Sequence, residues 1–286
     1  MLTEKEYLIK IREGLPNTRQ YRINQEISYT LEDFNYHNEI ETDVSVTFVR
    51  NTLTGYVFGV KLLRQWQLKT EGLDRWDLDM AQLRKNLILE TDLEGKIQQV
   101  QNIEDIKELW QDLRPTIAQK YADDEESKAV INSSIALLHS PGELEKVLQH
   151  SYLYHALLPG LYDQKFERGQ EFTFKGARII PNAIGTTSLP FITQTKLQDY
   201  DSITGACHVK IEGEIDQDLL DKDTITKLLR DLTDIYNLKT TVEGFHLEDY
   251  SFDRFHWVTA SGQLTQYAIE GTLMYRNLCT VKLLND

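Results

Sequence analysis

The stretch NLILETDLEGKIQQVQNIEDIKELW, residues 86–110, decides how this chain is built. Apolar residues alternate with polar ones, the run Asp92-Leu93-Glu94-Gly95 interrupts them, and alternation resumes at Ile97. A two-residue period on both sides of a glycine-bearing turn predicts a β-hairpin. The period then changes. Ile106, Leu109, Trp110, Leu113 and Ile117 recur at three- and four-residue steps, the apolar stripe of a helix. Asn102 stands where an N-cap belongs, and Glu104 and Asp105 suit the positive end of the helix dipole. Pro115 falls inside the pattern and is expected to kink or end that helix.

Working outward, the chain reads as one α+β domain, residues 1–286, in three regions. Residues 1–101 are mostly β: YRINQEISYTL and IETDVSVTFV alternate, and GYVFGVKLLRQWQL is a longer strand in which Gly59 marks a bulge or bend. Leu73 to Lys85 reads equally as a short helix or an irregular excursion. Residues 102–162 form a helical insertion. Its second helix is written in DDEESKAVINSSIALLHS. Its third begins at a Ser140 cap with Pro141 in the first turn, and Pro159-Gly160 stops it. Residues 163–286 return to β with one helix, Asp221 to Tyr236, striped by Ile225, Leu228, Leu229, Leu232 and Ile235. Ala260-Ser261-Gly262-Gln263 reads as a tight turn. With that reading, EGKIQQV and SGQLTQY are both a turn glycine followed by an alternating strand, a hint of internal duplication.

Long antiparallel strands with helices inserted between them, and the hairpin-to-helix LETDLEGKIQQVQNIEDIKELW, resemble the LolA-type, lipoprotein-carrier-like half-barrels. The resemblance implies a strongly curved antiparallel sheet packed against the inserted helices. It carries over no binding residue, because no motif fixes the correspondence.

Composition narrows the partners. The chain has 31 basic and 45 acidic residues and a formal charge of −14, which repels phosphate backbones and argues against nucleic acid. The N-terminal MLTEKEYLIKIREGL lacks the apolar core of a signal peptide, and no apolar run reaches a membrane span. Cys207 and Cys279 fit reduced, buried thiols, so a cytoplasmic protein is expected.

Motifs for chemistry are sparse. Glu90 and Asp92 share a strand face, as an acid/base pair would, but among so many carboxylates they read as a solvated face. The seven histidines form no H-E-x-x-H, and His246 and His256 near Asp249 and Asp253 are the best candidates for a metal; surface strand positions account for them better. No nucleophile elbow or phosphate loop is present, and Gly185 to Ser188 reads as a strand connection before it reads as a mobile flap. Neither a cofactor nor a metal is expected. Tyr152 and Tyr154, with Asp249, Asp253, Phe255 and Trp257, are the candidate anchors of a partner surface, although core packing is the default for such aromatics. The expectation is therefore a non-enzymatic binding protein that meets a protein partner, basic for preference, through an acidic surface, as an immunity protein or adaptor does in bacteria. The alternative is a carrier or sensor of an apolar small molecule held between sheet and helices.

If the hairpin covers the helix that follows it, Trp110 is buried, and Trp110→Ala lowers unfolding free energy by ~3–5 kcal/mol in denaturant titration. A near-neutral result would place the indole at the surface.

Overall fold

A computed structural model of the chain describes residues 6–12, 17–121, 137–167, 171–233 and 241–284. The strands are β1 (Glu6–Leu8), β2 (Thr18–Leu31), β3 (Phe34–Asn51), β4 (Gly55–Gln67), β5 (Asn86–Asp92), β6 (Ile97–Val100), β7 (Lys165–Glu167), β8 (Glu171–Ile184), β9 (Thr187–Tyr200), β10 (Cys207–Ile215), β11 (Val242–Phe252), β12 (Val258–Ile269) and β13 (Leu273–Leu283). The described helices are α1 (Gly72–Met80), α2 (Ile103–Lys120), α3 (Glu143–His150), α4 (Tyr152–Leu157) and α5 (Lys222–Thr233). Eleven strands make one large antiparallel sheet that is not closed, with β6 and β8 as its end strands, and β1 pairs with β7 apart from it. The class is α+β.

The chain forms two compact units, neither continuous in sequence. The first takes residues 1–12, 24–39 and 164–282; the second takes 13–23, 40–163 and 283–286. Strands β2 and β3 contribute to both.

In the second unit the strand order is β6-β5-β4-β3-β2. Alternation dictates which faces are buried: along β5, Leu87, Leu89 and Thr91 turn inward. The hairpin turn forms where expected. Gly95 N–H donates to Asp92 O at 3.1 Å, and Asp92 Oδ1 accepts Lys96 N–H at 2.9 Å. Gly95 is obligatory twice over, with φ of 93° and with the Tyr162 ring 2.4 Å from where a Cβ would stand. Asn102 is the N-cap residue of α2 as expected, but its side chain makes no capping bond. Its Oδ1 accepts Ile88 N–H at 2.9 Å and its Nδ2 donates to Asn86 O at 3.0 Å, prolonging the β5 ladder beyond the end of β6. The α2 stripe buries Ile106, Trp110 and Ile117, whereas Leu109 stays 37% exposed. Pro115 does not end the helix; it lies on the solvent side, where water can take the carbonyl it leaves unbonded.

Leu73 to Lys85 resolves into α1 followed by a 3₁₀ turn, Ala81–Arg84. The predicted second helix falls mostly outside the described residues; 137–139 are helical. The third is two helices, because Ser151 adopts extended backbone with ψ of 133° between them. Gly142, not Ser140, occupies the N-cap of α3.

In the first unit the order is β3-β2-β13-β12-β11-β10-β9-β8. Helix α5 starts as its sequence demands: Asp221 Oδ1 accepts Thr224 N–H at 3.0 Å and its Oδ2 accepts the Thr224 hydroxyl at 2.7 Å, while Ile225 and Leu229 are buried. Gly185 and Thr186 simply turn the chain between β8 and β9, with Ile184 opposite Thr187. The tight turn expected at Ala260–Gln263 is not one. Those residues run through β12, where Gly262 pairs with Asp249 on one side and Thr280 on the other. The polar side chains that suggested a turn, Ser261 and Gln263, face the interior. The chain reverses instead at Asp253–Trp257, where Asp253 Oδ1 accepts N–H from Phe255 at 2.9 Å and from Trp257 at 3.0 Å. The hint of duplication rested on the Gly262 turn and falls with it.

These environments set opposite responses at two glycines. A Cβ on Gly262 meets nothing within 4 Å, so Gly262→Ala should raise stability by about 0.5–1 kcal/mol. A Cβ on Gly244 would stand 2.5 Å from Gln266 O and 2.7 Å from Tyr267 Cβ, so Gly244→Ala should lower it by ~1–3 kcal/mol. Thermal unfolding of the two variants checks both the β11–β12 register and the absence of a turn at 262.

Candidate functional site

Two interiors offer themselves, one in each unit, and they differ in chemistry. In the second unit the starting point is the end strand β6, whose outward backbone groups need partners. Helix α3 supplies them from one face: Glu145 Oε1 accepts Val100 N–H at 3.0 Å, and Gln149 Nε2 donates to Ile97 O. Its adjoining face buries Leu144 and Leu148. Held this way, α3 stands with α1, the 3₁₀ turn and α2 around Leu87 of β5, and between them lies a partly open cavity of about 270 Å³. Trp76, Leu83, Ile106 and Val147 complete its apolar wall.

The polar groups on that wall are few. Arg84 Nη2 donates to Asp77 Oδ1 at 2.8 Å, and Asp77 Oδ2 accepts Gln65 Nε2 at 3.2 Å. Burial weighs against the Arg84 charge, but Asp77 and then Tyr154 outweigh it, and its pKa lies above the ordinary arginine value. The Tyr154 phenol, buried nearby, is pushed up to about 12, first by desolvation. Leu137, Leu138 and Leu144 also wall a second, more polar cavity of about 460 Å³, lined by Gln98, Gln99 and Lys107.

The first unit buries a polar cluster instead. His246, Glu248 and Tyr250 alternate along β11 onto one face, opposite Thr265, Gln263 and Ser261 of β12. Glu248 is the hub. His246 Nε2 lies 2.6 Å from its Oε1, the Tyr250 hydroxyl donates to its Oε2 at 2.6 Å, and Arg178 Nε of β8 stands 3.6 Å from Oε1. Gln263 Nε2 donates to the Tyr250 oxygen at 3.0 Å, and His246 Nδ1 lies 2.7 Å from Thr265 Oγ1. Burial, and next the Glu248 charge, drive the Tyr250 pKa well above its ordinary value. None of these side chains is more than 4% exposed among His246, Glu248, Gln263, Thr265 and Arg178. A carboxylate answered by an arginine, a phenol and an imidazole is a satisfied buried charge.

The residues singled out from sequence disperse. Tyr152 and Tyr154 are buried in the second unit, and Trp257 is buried in the first. Phe255 and Asp253 are half-buried and joined by the turn described above; Asp249 is exposed and its Oδ1 lies 2.7 Å from His208 Nε2. His246 and His256 do not meet. His256 takes Lys10 and the Tyr7 hydroxyl as neighbours, and desolvation lowers its pKa. Among the described residues no group of three His, Cys, Asp or Glu is placed to hold a metal. Glu90 accepts from Gln101 Nε2 and Asp92 from Lys96 and Gln98, so both carboxylates serve the hairpin. Cys207 and Cys279 are free and buried, each thiol pushed up to about 12 by desolvation. Sequence reading missed Glu248 by pairing His246 with Asp249; strand alternation puts those two on opposite faces, and H-x-E-x-Y was the available signal.

No family model matches the chain, and no curated protein matches it. Among solved structures its fold is similar to that of lipovitellin, in a structure described as showing lipid–protein interactions, with 9% identity and a TM-score of 0.50 over 96% of this chain. The match covers 26% of the lipovitellin chain, so this chain spans about a quarter of that protein. At this identity the likeness is one of fold.

Removing the hub of the polar cluster should be severe. Glu248→Ala takes away the carboxylate facing Arg178 and is expected to lower stability by ~3–5 kcal/mol in denaturant unfolding, with Glu248→Gln losing less. An effect below ~1 kcal/mol would show that the cluster is not a coupled unit.

Proposed function

We propose that the protein is a binding protein for an apolar small molecule, which it holds in the second unit between β5 and helices α1, α2 and α3. The observation that carries the reading is the cavity of about 270 Å³, whose described wall is almost wholly leucine, isoleucine, valine, methionine and tryptophan with one charged pair. Pre-formed, mostly apolar concavities with a few placed polar groups are the usual form of small-molecule sites. The fold likeness to a protein known for lipid interactions agrees with this reading, as does the carrier-like resemblance of the hairpin and helix.

The first unit is the poorer candidate because, among its described residues, the buried polar side chains of β11 and β12 bond one another. The proposal takes its strands as strongly bent, half-barrel fashion. Two contacts support the bend. The Tyr267 hydroxyl of β12 donates to Ala183 O of β8, and Arg178 of β8 approaches Glu248 of β11. With neighbouring strands ~4.8 Å apart, a flat sheet would separate those strand pairs by about 19 and about 14 Å, beyond the reach of the side chains involved. Bending brings the side chains of one face together, and here they close on each other.

An acidic surface for a protein partner draws less support from the six side chains suggested for it. Tyr152, Tyr154 and Trp257 are buried and would have to leave the interior to touch a partner.

The test is titration with N-phenyl-1-naphthylamine, a neutral dye that brightens in apolar surroundings. Saturable binding at one site per chain is expected. Val147 lines the cavity yet is 50% exposed, so Val147→Trp should block the dye while the fold survives. Absence of saturable binding, or binding that Val147→Trp leaves unchanged, overturns the reading. Native mass spectrometry and solvent extraction of the purified protein then identify any co-purified apolar ligand.

A further inference from the structure

The cavity wall says something about the ligand itself, given that the second unit binds one. We infer that the ligand is a single-chain amphiphile whose head is a carboxylate, and that Arg84 is the residue that selects it. Among the described residues, Arg84 and Asp77 are the charged ones lining the apolar cavity. The two are not equally committed. Asp77 accepts from two donors, Arg84 at 2.8 Å through one oxygen and Gln65 at 3.2 Å through the other. Arg84 gives Asp77 a hydrogen bond from one nitrogen, and a guanidinium carries five N–H groups in a planar fork. The donors left over match the two oxygens of a carboxylate, with which arginine pairs bidentately.

The surroundings favour a charged acceptor over a neutral one. Arg84 is 34% exposed and faces a wall of low polarity, where a charge-assisted hydrogen bond is screened less than in water. Ser151 lines the same cavity. An alcohol head would accept one hydrogen bond from the guanidinium and leave the rest of the fork facing its apolar chain. An ammonium head would have to share Asp77 with the Arg84 guanidinium 2.8 Å away, so that two like charges would crowd one carboxylate. The chain of the ligand meets Leu87, Ile106, Leu144 and Leu148, which offer it only apolar contact.

The experiment compares decanoate, decan-1-ol and decylamine, each below its aggregation limit, as competitors of the dye by calorimetry and fluorescence. Wild type should bind decanoate about tenfold or more tighter than the alcohol, as expected for hydrogen bonds to a charged group. Arg84→Gln should bring decanoate down to the alcohol's affinity and leave the alcohol unchanged; Arg84→Lys should keep part of the preference. A thermal melt of each variant confirms the fold. Equal binding of acid and alcohol by wild type, a preference for the amine, or an acid preference that survives Arg84→Gln overturns the head-group assignment while leaving the cavity reading in place. If the dye binds but none of the three displaces it, the head-group assignment falls and the cavity reading stands on the dye; if the dye itself fails to bind, both inferences fall.

Discussion

A strand at the end of a sheet has backbone donors and acceptors that nothing in the sheet can satisfy, and the second unit is organised around that constraint at β6. Helix α3 answers it through side chains: Glu145 accepts Val100 N–H and Gln149 donates to Ile97 O. An edge capped in this way resists pairing with another chain. It also fixes where the apolar face of α3 must go. Leu144 and Leu148 point toward Leu87 and Ile106, and the space these helices fail to fill becomes the cavity. The same hairpin therefore serves the architecture and, through α3, positions the candidate site.

The two interiors divide the chemical labour. The first unit neutralises a buried carboxylate with an arginine, a histidine and a tyrosine and leaves those groups engaged with each other. Such a network favours one packing of its strands, since any other arrangement would strand a charge in a low dielectric. Among its described residues the second unit leaves apolar surface uncovered, which is destabilising in itself, because atoms lining a void lose contacts that a packed core would supply. The proposed ligand would restore those contacts.

How far the sequence could be read follows from which interactions are local. The turn at Asp92–Gly95, the strands on either side of it, the stripe of α2 and the start of α5 all depend on residues a few positions apart, and alternation or spacing exposes them. Local reading failed where a polar side chain serves a partner outside its own few residues. Ser261 and Gln263 look like turn chemistry, yet they are buried polar groups of a central strand. Asn102 looks like a cap, yet its amide finishes a β-ladder. The break at Ser151 has no helix breaker to announce it. The cavity was beyond sequence reading for a different reason. Its wall joins residues 76–87 to 137–151 and Ile106, and an unfilled space leaves no mark on periodicity.

The most direct measurement is methyl-resolved NMR of the selectively labelled protein while decanoate is added. Shift changes should concentrate on Leu83, Leu87, Ile106, Leu144 and Leu148, with the methyls of Leu197, Val209 and Ile211 in the first unit unmoved. Changes centred on those first-unit methyls, or a spectrum that does not respond at all, would contradict a ligand compartment between β5 and the helices.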